Sequence, residues 1–419
     1  MTTLVTSAFL LALAFSLALR LYLASRHIRH VRAHREAVPA AFTGRFTLAD
    51  HQLAADYTVA KTRLAMLSAV VDAGVLLALT LGGGIEALTV FWLGLGWPPV
   101  VSGTALILSL MAITGLIGLP FGLYATFGIE ARFGFNKTSV RLFIIDQLKS
   151  LLVGLVLGVP LLLLVLWLMY GSTLWWLWVW LVWSAFSLLM VWLFPTVIAP
   201  LFNRFLPLED GELKQRIDAL LTRCGFRSSG VFVVDGSRRS NHGNAYFTGF
   251  GAAKRIVFYD TLLNQLDGDE IEAVLAHELG HFKRRHIIKR IVLTFALSFA
   301  FLLLLGWLLE WTPFYFGLGI STPTLAAGLI LAAMALPAFT FPLTPLMSRL
   351  SRRQEFEADA YAAEHADRHA LVSALTRLYR DNASTLTPDP LHSAFYDSHP
   401  PATIRIQHLE SLPHTGVSA

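Results

Sequence analysis

Seven apolar runs punctuate the chain, at about residues 4–25, 64–92, 103–127, 151–170, 174–202, 287–311 and 323–347. Each reaches the roughly 18–20 residues that a helix needs to cross a bilayer, which a short buried core segment does not require. The polar stretches between them alternate in charge. Arg26, Arg29, Arg32, Arg35, Arg45, Lys61 and Arg63 follow the first run, whereas 94–102 carries none. Arg132, Lys137, Arg141 and Lys149 lie between the third and fourth runs, and Arg349, Arg352 and Arg353 follow the seventh. Because cationic loops stay on the cytoplasmic side, this alternation predicts an outside N-terminus, with the basic loops and the C-terminal tail inside. The first run lacks a basic leader and a small-residue cleavage site, so it reads as a retained span.

The remaining polar sequence falls in two pieces, 203–286 and 348–419, separated by spans six and seven over 287–347 and preceded by spans one to five over 1–202. In the first piece, DGELKQRIDALLTRCGF (210–226) has the spacing of an amphipathic helix. GVFVVDG, NAYFTGF and KRIVFYD are short β-branched and aromatic runs between Gly and Asp punctuation, and these predict strands. A helix follows from about Asp267, where Glu270 three residues on completes a capping box, and Ile271, Val274, Leu275 and Phe282 hold one face. The expected fold class is an all-α polytopic membrane protein of seven helices carrying one small α+β cytoplasmic body.

Composition supports this picture. The 419 residues are 55% hydrophobic and 15% charged, against about 25% charged in a soluble domain. The net charge of +5 belongs to the cytoplasmic loops; no nucleic-acid-binding motif accompanies it, so no nucleic-acid partner is expected. Cys224 is the sole cysteine, which excludes an intrachain disulfide and a Cys-based zinc site. The histidines of RHIRHVRAH (26–34) read as a solvated basic loop, and Asp72 as an ionisable group inside a span.

Within the predicted helix, AVLAHELGHFKRRH (273–286) places His277 and His281 one turn apart on one face. Two imidazoles so spaced fill two corners of a tetrahedral zinc site, and Glu278, one position round, faces a water as general base. A third ligand is sought on another helix. SRRQEFEADAYAAEHA (351–366) offers Glu355 and Asp359 on a shared face, with Glu357 pointing elsewhere. The natural division puts Glu355 on the metal and Asp359 behind a ligating histidine. Since two spans separate His281 from Glu355, the membrane bundle has to bring the ligands together.

These stretches resemble the integral-membrane zinc metallopeptidases of the type I CAAX prenyl endopeptidase family. EARFGFNKTSVRLFIIDQLK (130–149), FPTVIAPLFNRFLPLEDGEL (194–213), SNHGNAYFTGFGAAKRIVFYDTLL (240–263) and SHPPATIRIQHL (398–409) extend the resemblance in order along most of the chain. It implies a seven-helix barrel around a water-filled chamber, with one Zn2+ per chain at the cytoplasmic end. His277, His281 and Glu355 would be ligands and Glu278 the catalytic base. Asn244 and Ala245 would open an edge strand that takes the substrate as an added strand. His399 would stabilise the developing oxyanion, and Arg405 would brace substrate or structure.

The expected function is membrane-embedded zinc endopeptidase activity on CAAX-type prenylated or other membrane-associated peptides, with the bilayer as the other partner. A seven-span transporter or scaffold is the alternative from another class, and the set His277, Glu278, His281 and Glu355 discriminates against it. The resemblance's eukaryotic members reside in the endoplasmic reticulum. Here the outward loops are minimal and the ending LPHTGVSA carries no retrieval signal, so a bacterial inner membrane is expected, with the endoplasmic reticulum as the alternative.

Overall fold

The computed structural model describes residues 1–248 and 254–412. Residues 249–253 of the GFGAA stretch and the ending from 413 onward lie outside the described residues. Helices α1 (Thr2–Ala33), α2 (Leu48–Leu79), α3 (Gly84–Gly94), α4 (Pro99–Leu123), α5 (Val140–Gly171), α6 (Trp175–Leu193) and α7 (Ala199–Phe202) make the first half. The second contains α8 (Glu212–Arg223), α9 (Asp260–Gln265), α10 (Gly268–Lys283), α11 (His286–Glu310), α12 (Thr312–Gly317) and α13 (Leu325–Thr340). It closes with α14 (Thr344–His365), α15 (Arg368–Asp381), α16 (Pro390–Tyr396) and α17 (Ala402–Ser411). Seven of the helical stretches are long and apolar enough to span a membrane, ending with the 41-residue run Leu325–His365.

Two span boundaries differ from expectation. Apolarity alone joined 64–92 into one span, but the LGGG sequence interrupts it. α2 ends at Leu79, and Gly83, with φ of 80°, opens the short separate helix α3. A left-handed turn of that kind is open to glycine without steric penalty. The basic run 26–34 also departs from a solvated loop, because α1 carries on through it to Ala33. No Gly or Pro interrupts the run, and it has something to pack on: His27 and Val31 are buried, and the His27 ring stacks on His392 of α16 with centroids 3.9 Å apart.

The small sheet has order β1-β2-β4-β3, from β1 (Phe205–Pro207), β2 (Val231–Val234), β3 (Ala245–Thr248) and β4 (Arg255–Tyr259). β1 is antiparallel to β2, β2 parallel to β4, and β4 antiparallel to β3, with Ala245 opposite Phe258. β1 was not expected from sequence, since three residues ending in proline carry no alternation to read. β3 pairs only with β4 among the described residues, which leaves its other edge free.

One buried core joins α8, the sheet, α10, α14, α15 and α17 through residues such as Ile217, Phe258, Leu275, Ala362, Leu371 and Ile406. It therefore draws on both polar pieces of the sequence. A second core lies among the spans and includes Leu106, Leu166, Leu305 and Leu331. Between α1, α2, α4 and α13 lies a cavity of about 550 Å3, lined by Arg20, Asp72, Met334 and Pro337 among others. Asp72 accepts a hydrogen bond from Ser68 Oγ at 3.2 Å.

Candidate metal centre and active site

α10 begins as its sequence predicts. Asp267 accepts the Glu270 N–H at 3.1 Å, and Glu270 returns the bond to the Asp267 N–H at 3.0 Å. Ile271, Leu275 and Leu279 are then buried on one face, which fixes the helix's rotation. Gly280 fixes its approach to α14: a Cβ there would lie 2.9 Å from Ala358 Cα and 3.0 Å from Ala358 O, so no other residue fits this crossing. The glycine contact brings the two helices together beside Glu355 and Asp359.

The result is a compact donor set. His277 Nε2 and His281 Nε2 stand 3.3 Å apart. Glu355 Oε2 is 3.5 Å from His277 Nε2, and its Oε1 is 3.3 Å from His281 Nε2. Donors about 2.0–2.1 Å from a tetrahedral zinc are separated by about 3.3–3.4 Å; the two imidazole nitrogens stand at that spacing, and the Glu355 carboxylate turns one oxygen towards each of them. Glu355 is 2% exposed, and its buried Oε2 takes no well-formed hydrogen bond, although His399 Nδ1 comes within 2.7 Å. A sealed carboxylate oxygen facing two imidazoles fits a cation as its partner. Among the described residues this is the one group of three metal-type side chains converging on a point.

The groups behind the donors are equally specific. Asp359, completely buried, holds His277 Nδ1 at 2.8 Å. Arg405, itself buried, grips Asp359 with two bonds, Nε to Oδ2 at 2.9 Å and Nη2 to Oδ1 at 2.5 Å. Burial pushes the His277 imidazole down, but its bonds to Asp359 and Glu355 outweigh this, and its pKa is raised to about 9.

A second relay was missed from sequence. His281 Nδ1 lies 3.0 Å from Nδ1 of the buried His286, whose Nε2 faces Glu357 Oε2 at 3.1 Å. Glu357 does point away from the metal, as its spacing implied, but it turns towards the support of the other histidine. The signal was present as the last histidine of HFKRRH. Its role depends on Arg285, whose left-handed φ of 56° ends α10 and starts α11 so that His286 folds back on His281.

Glu278 is half-buried and makes no hydrogen bond or ion pair among the described residues, so its carboxylate is uncommitted beside the donor set. Asn244 is exposed at the head of β3; its Oδ1 accepts the Ala245 N–H at 2.9 Å, and its carbonyl accepts the Tyr259 N–H at 2.9 Å. Asn244 and Ala245 therefore sit at the start of the free sheet edge. The side chain of His399 is 60% exposed next to Glu355.

Comparison with known proteins agrees with this geometry. Residues 27–204 match the family model described as CAAX prenyl protease N-terminal, five membrane helices, and residues 207–412 match that of Peptidase family M48. The CAAX prenyl protease 1 of Saccharomyces cerevisiae is 39% identical over 320 residues, covering 72% of this chain and 70% of that protein. The Arabidopsis thaliana homolog is 38% identical over 304 residues, with 72% and 71% covered. The chain belongs to peptidase family M48. The crystal structure of Saccharomyces mikatae Ste24p superposes with a TM-score of 0.90 at 30% identity, over 98% of this chain and 99% of that one. The chain is accordingly a multi-pass membrane metallopeptidase that acts on peptides, with the helical barrel of the family, and the transporter or scaffold alternative finds no support.

Proposed function

We propose that this chain is a zinc endopeptidase holding one Zn2+ through His277, His281 and Glu355, and that it hydrolyses prenylated CAAX-type peptides and other membrane-associated peptides. The observation that carries the metal assignment is the set of donor spacings, 3.3, 3.3 and 3.5 Å. Zinc bound there supplies Lewis acidity to a scissile carbonyl and to water. Every further step falls to side chains and backbone of the chain. The free edge of β3 pairs with an extended peptide through main-chain bonds, which needs little from the substrate's side chains. Glu278 takes the proton of the attacking water and passes it to the leaving amine. His399 donates to the oxyanion as it develops. Asp359 holds the tautomer of His277 in which Nε2 is free to bind metal, and Arg405 holds Asp359.

The basic loops support a cytoplasmic active site and an outside N-terminus. The brevity of the outward connections, such as the stretch between Gly171 and Trp175, supports a bacterial inner membrane. The relatives' name supports prenylated substrates. The test is metal content and peptide cleavage of the purified protein beside Glu278→Gln, with a farnesylated CAAX peptide and its unprenylated counterpart. About one zinc per chain in both proteins, with cleavage slowed about 10^2- to 10^4-fold in the variant, is the expected result. Faster cleavage of the farnesylated peptide would establish the lipid preference. No bound metal, or cleavage indifferent to Glu278, would overturn the proposal.

A further inference from the structure

Beside the donor set a cavity of about 640 Å3 opens between α2, the segment leading into β3, and the chain linking α15 to α17. His399, which reaches Glu355 Oε2 at 2.7 Å, is part of its lining, so the cavity extends to the edge of the donor set. Lys61 and His242 line the same cavity. Asp397 is the one carboxylate among the lining residues.

Lys61 is exposed to this space and makes no ion pair among the described residues; its Nζ reaches the Tyr57 hydroxyl at 3.3 Å and lies 4.7 Å from the Tyr57 ring centre. The adjoining carboxylate, Glu130, is already engaged. It accepts the Tyr57 O–H at 2.5 Å on one oxygen and faces His242 Nε2 at 3.4 Å with the other. His242 is pinned from behind by Asn382 Oδ1 at 3.1 Å. A fixed framework therefore presents an ammonium group that has no anionic partner of its own.

Strand direction supplies the second half of the argument. β3 runs from Ala245 to Thr248, away from His242. A peptide added antiparallel to it, the commoner pairing, lies with its own C-terminal end at the β3 start, beside Asn244 and His242. The residues on the leaving side of the scissile bond then advance towards Lys61 at about 3.4 Å per residue. A chain that ends within a few residues places its terminal carboxylate in the cavity, where an ammonium donor provides a charge-assisted bond.

We propose that Lys61 binds the free C-terminal carboxylate of the substrate. The proposal rests on the peptidase reading above and adds the residue that holds the substrate's chain end. The test uses the zinc-loaded full chain, wild type and Lys61→Met, with three versions of one peptide: free acid, C-terminal amide, and amide with Glu as last residue. Wild type is expected to favour the free acid by about tenfold to a hundredfold in kcat/KM, mainly through KM. In Lys61→Met the acid-to-amide ratio collapses towards one, and Lys61→Arg restores part of it. An unchanged ratio in Lys61→Met, or no preference in wild type, would overturn the proposal; where Lys61→Met fails to fold, Lys61→Gln takes its place with the same expected collapse, and an unchanged ratio there overturns the proposal equally. Cleavage of the Glu-ended amide as fast as the free acid would overturn the reading of the chain end. Absence of any cleavage by wild type would overturn the zinc endopeptidase reading itself, and this inference with it.

Discussion

Asp359 spends its carboxylate on His277 Nδ1, at 2.8 Å, and on two bonds from Arg405. Asp359→Asn keeps the shape but weakens both partnerships, and zinc affinity is expected to fall about 10- to 100-fold by competition with a chromophoric chelator. Unchanged affinity would show that Asp359 does not orient the ligand. The same chemistry sets a pH dependence. In the metal-free protein the His277 pKa stands above the ordinary 6.5, at about 9. The stability that its protonated form confers is complete below about 6.5 and fades as pH rises through about 9. Zinc has to displace that proton, so its affinity should rise about tenfold per pH unit up to about 9. A flat profile between pH 7 and 9 would refute the coupling. At this scale the shared faces of His277 with His281 and of Glu355 with Asp359 were legible, because i, i+4 spacing carries geometry. The His286–Glu357 support and Lys61 were not, because each depends on contacts between residues 71 or more positions apart, or across a cavity.

α10 and α14 meet at Gly280, where a Cβ would stand 2.9 Å from a backbone carbon of α14. A backbone neighbour cannot rotate aside as a side chain can, so Gly280→Ala has to push the helices apart. A separation of a few tenths of an ångström already spoils the 3.3–3.5 Å spacing that links the histidines to Glu355. Overpacking of this kind costs about 1–3 kcal/mol. We expect Gly280→Ala to lower the melting temperature of the metal-free protein and to weaken zinc further than the stability loss alone explains. Normal zinc affinity in a destabilised variant would separate packing from ligand geometry and refute the link. Secondary elements were legible where a local device marks them, as the Asp267–Glu270 capping box marks α10. The α2–α3 break was lost because hydropathy counts an LGGG turn as continuous, and the extension of α1 was lost because its basic residues hid a buried stripe at His27 and Val31.

Across the whole molecule, the ligands arrive on helices separated by two spans, yet the metal is not what joins them. Ala273, Ala276 and Ala362 of α10 and α14 are buried within a core that extends through the sheet, α8, α15 and α17, and Ala358 is buried against Gly280. The spans leading to and from that contact are packed into their own core through Leu305 and Leu331. Both cores consist of apolar groups that need no ion. A small zinc module, by contrast, has no core to fall back on and unfolds when stripped. Removing the metal with a chelator in detergent or lipid should therefore abolish peptide cleavage while leaving helical circular dichroism intact. The melting temperature should fall only by the linkage amount, which grows logarithmically with free zinc over its dissociation constant. Re-addition of zinc should restore cleavage without a refolding step. Loss of helicity or aggregation on chelation would show that the metal closes the α10–α14 contact, and that the bundle alone does not hold the site in shape.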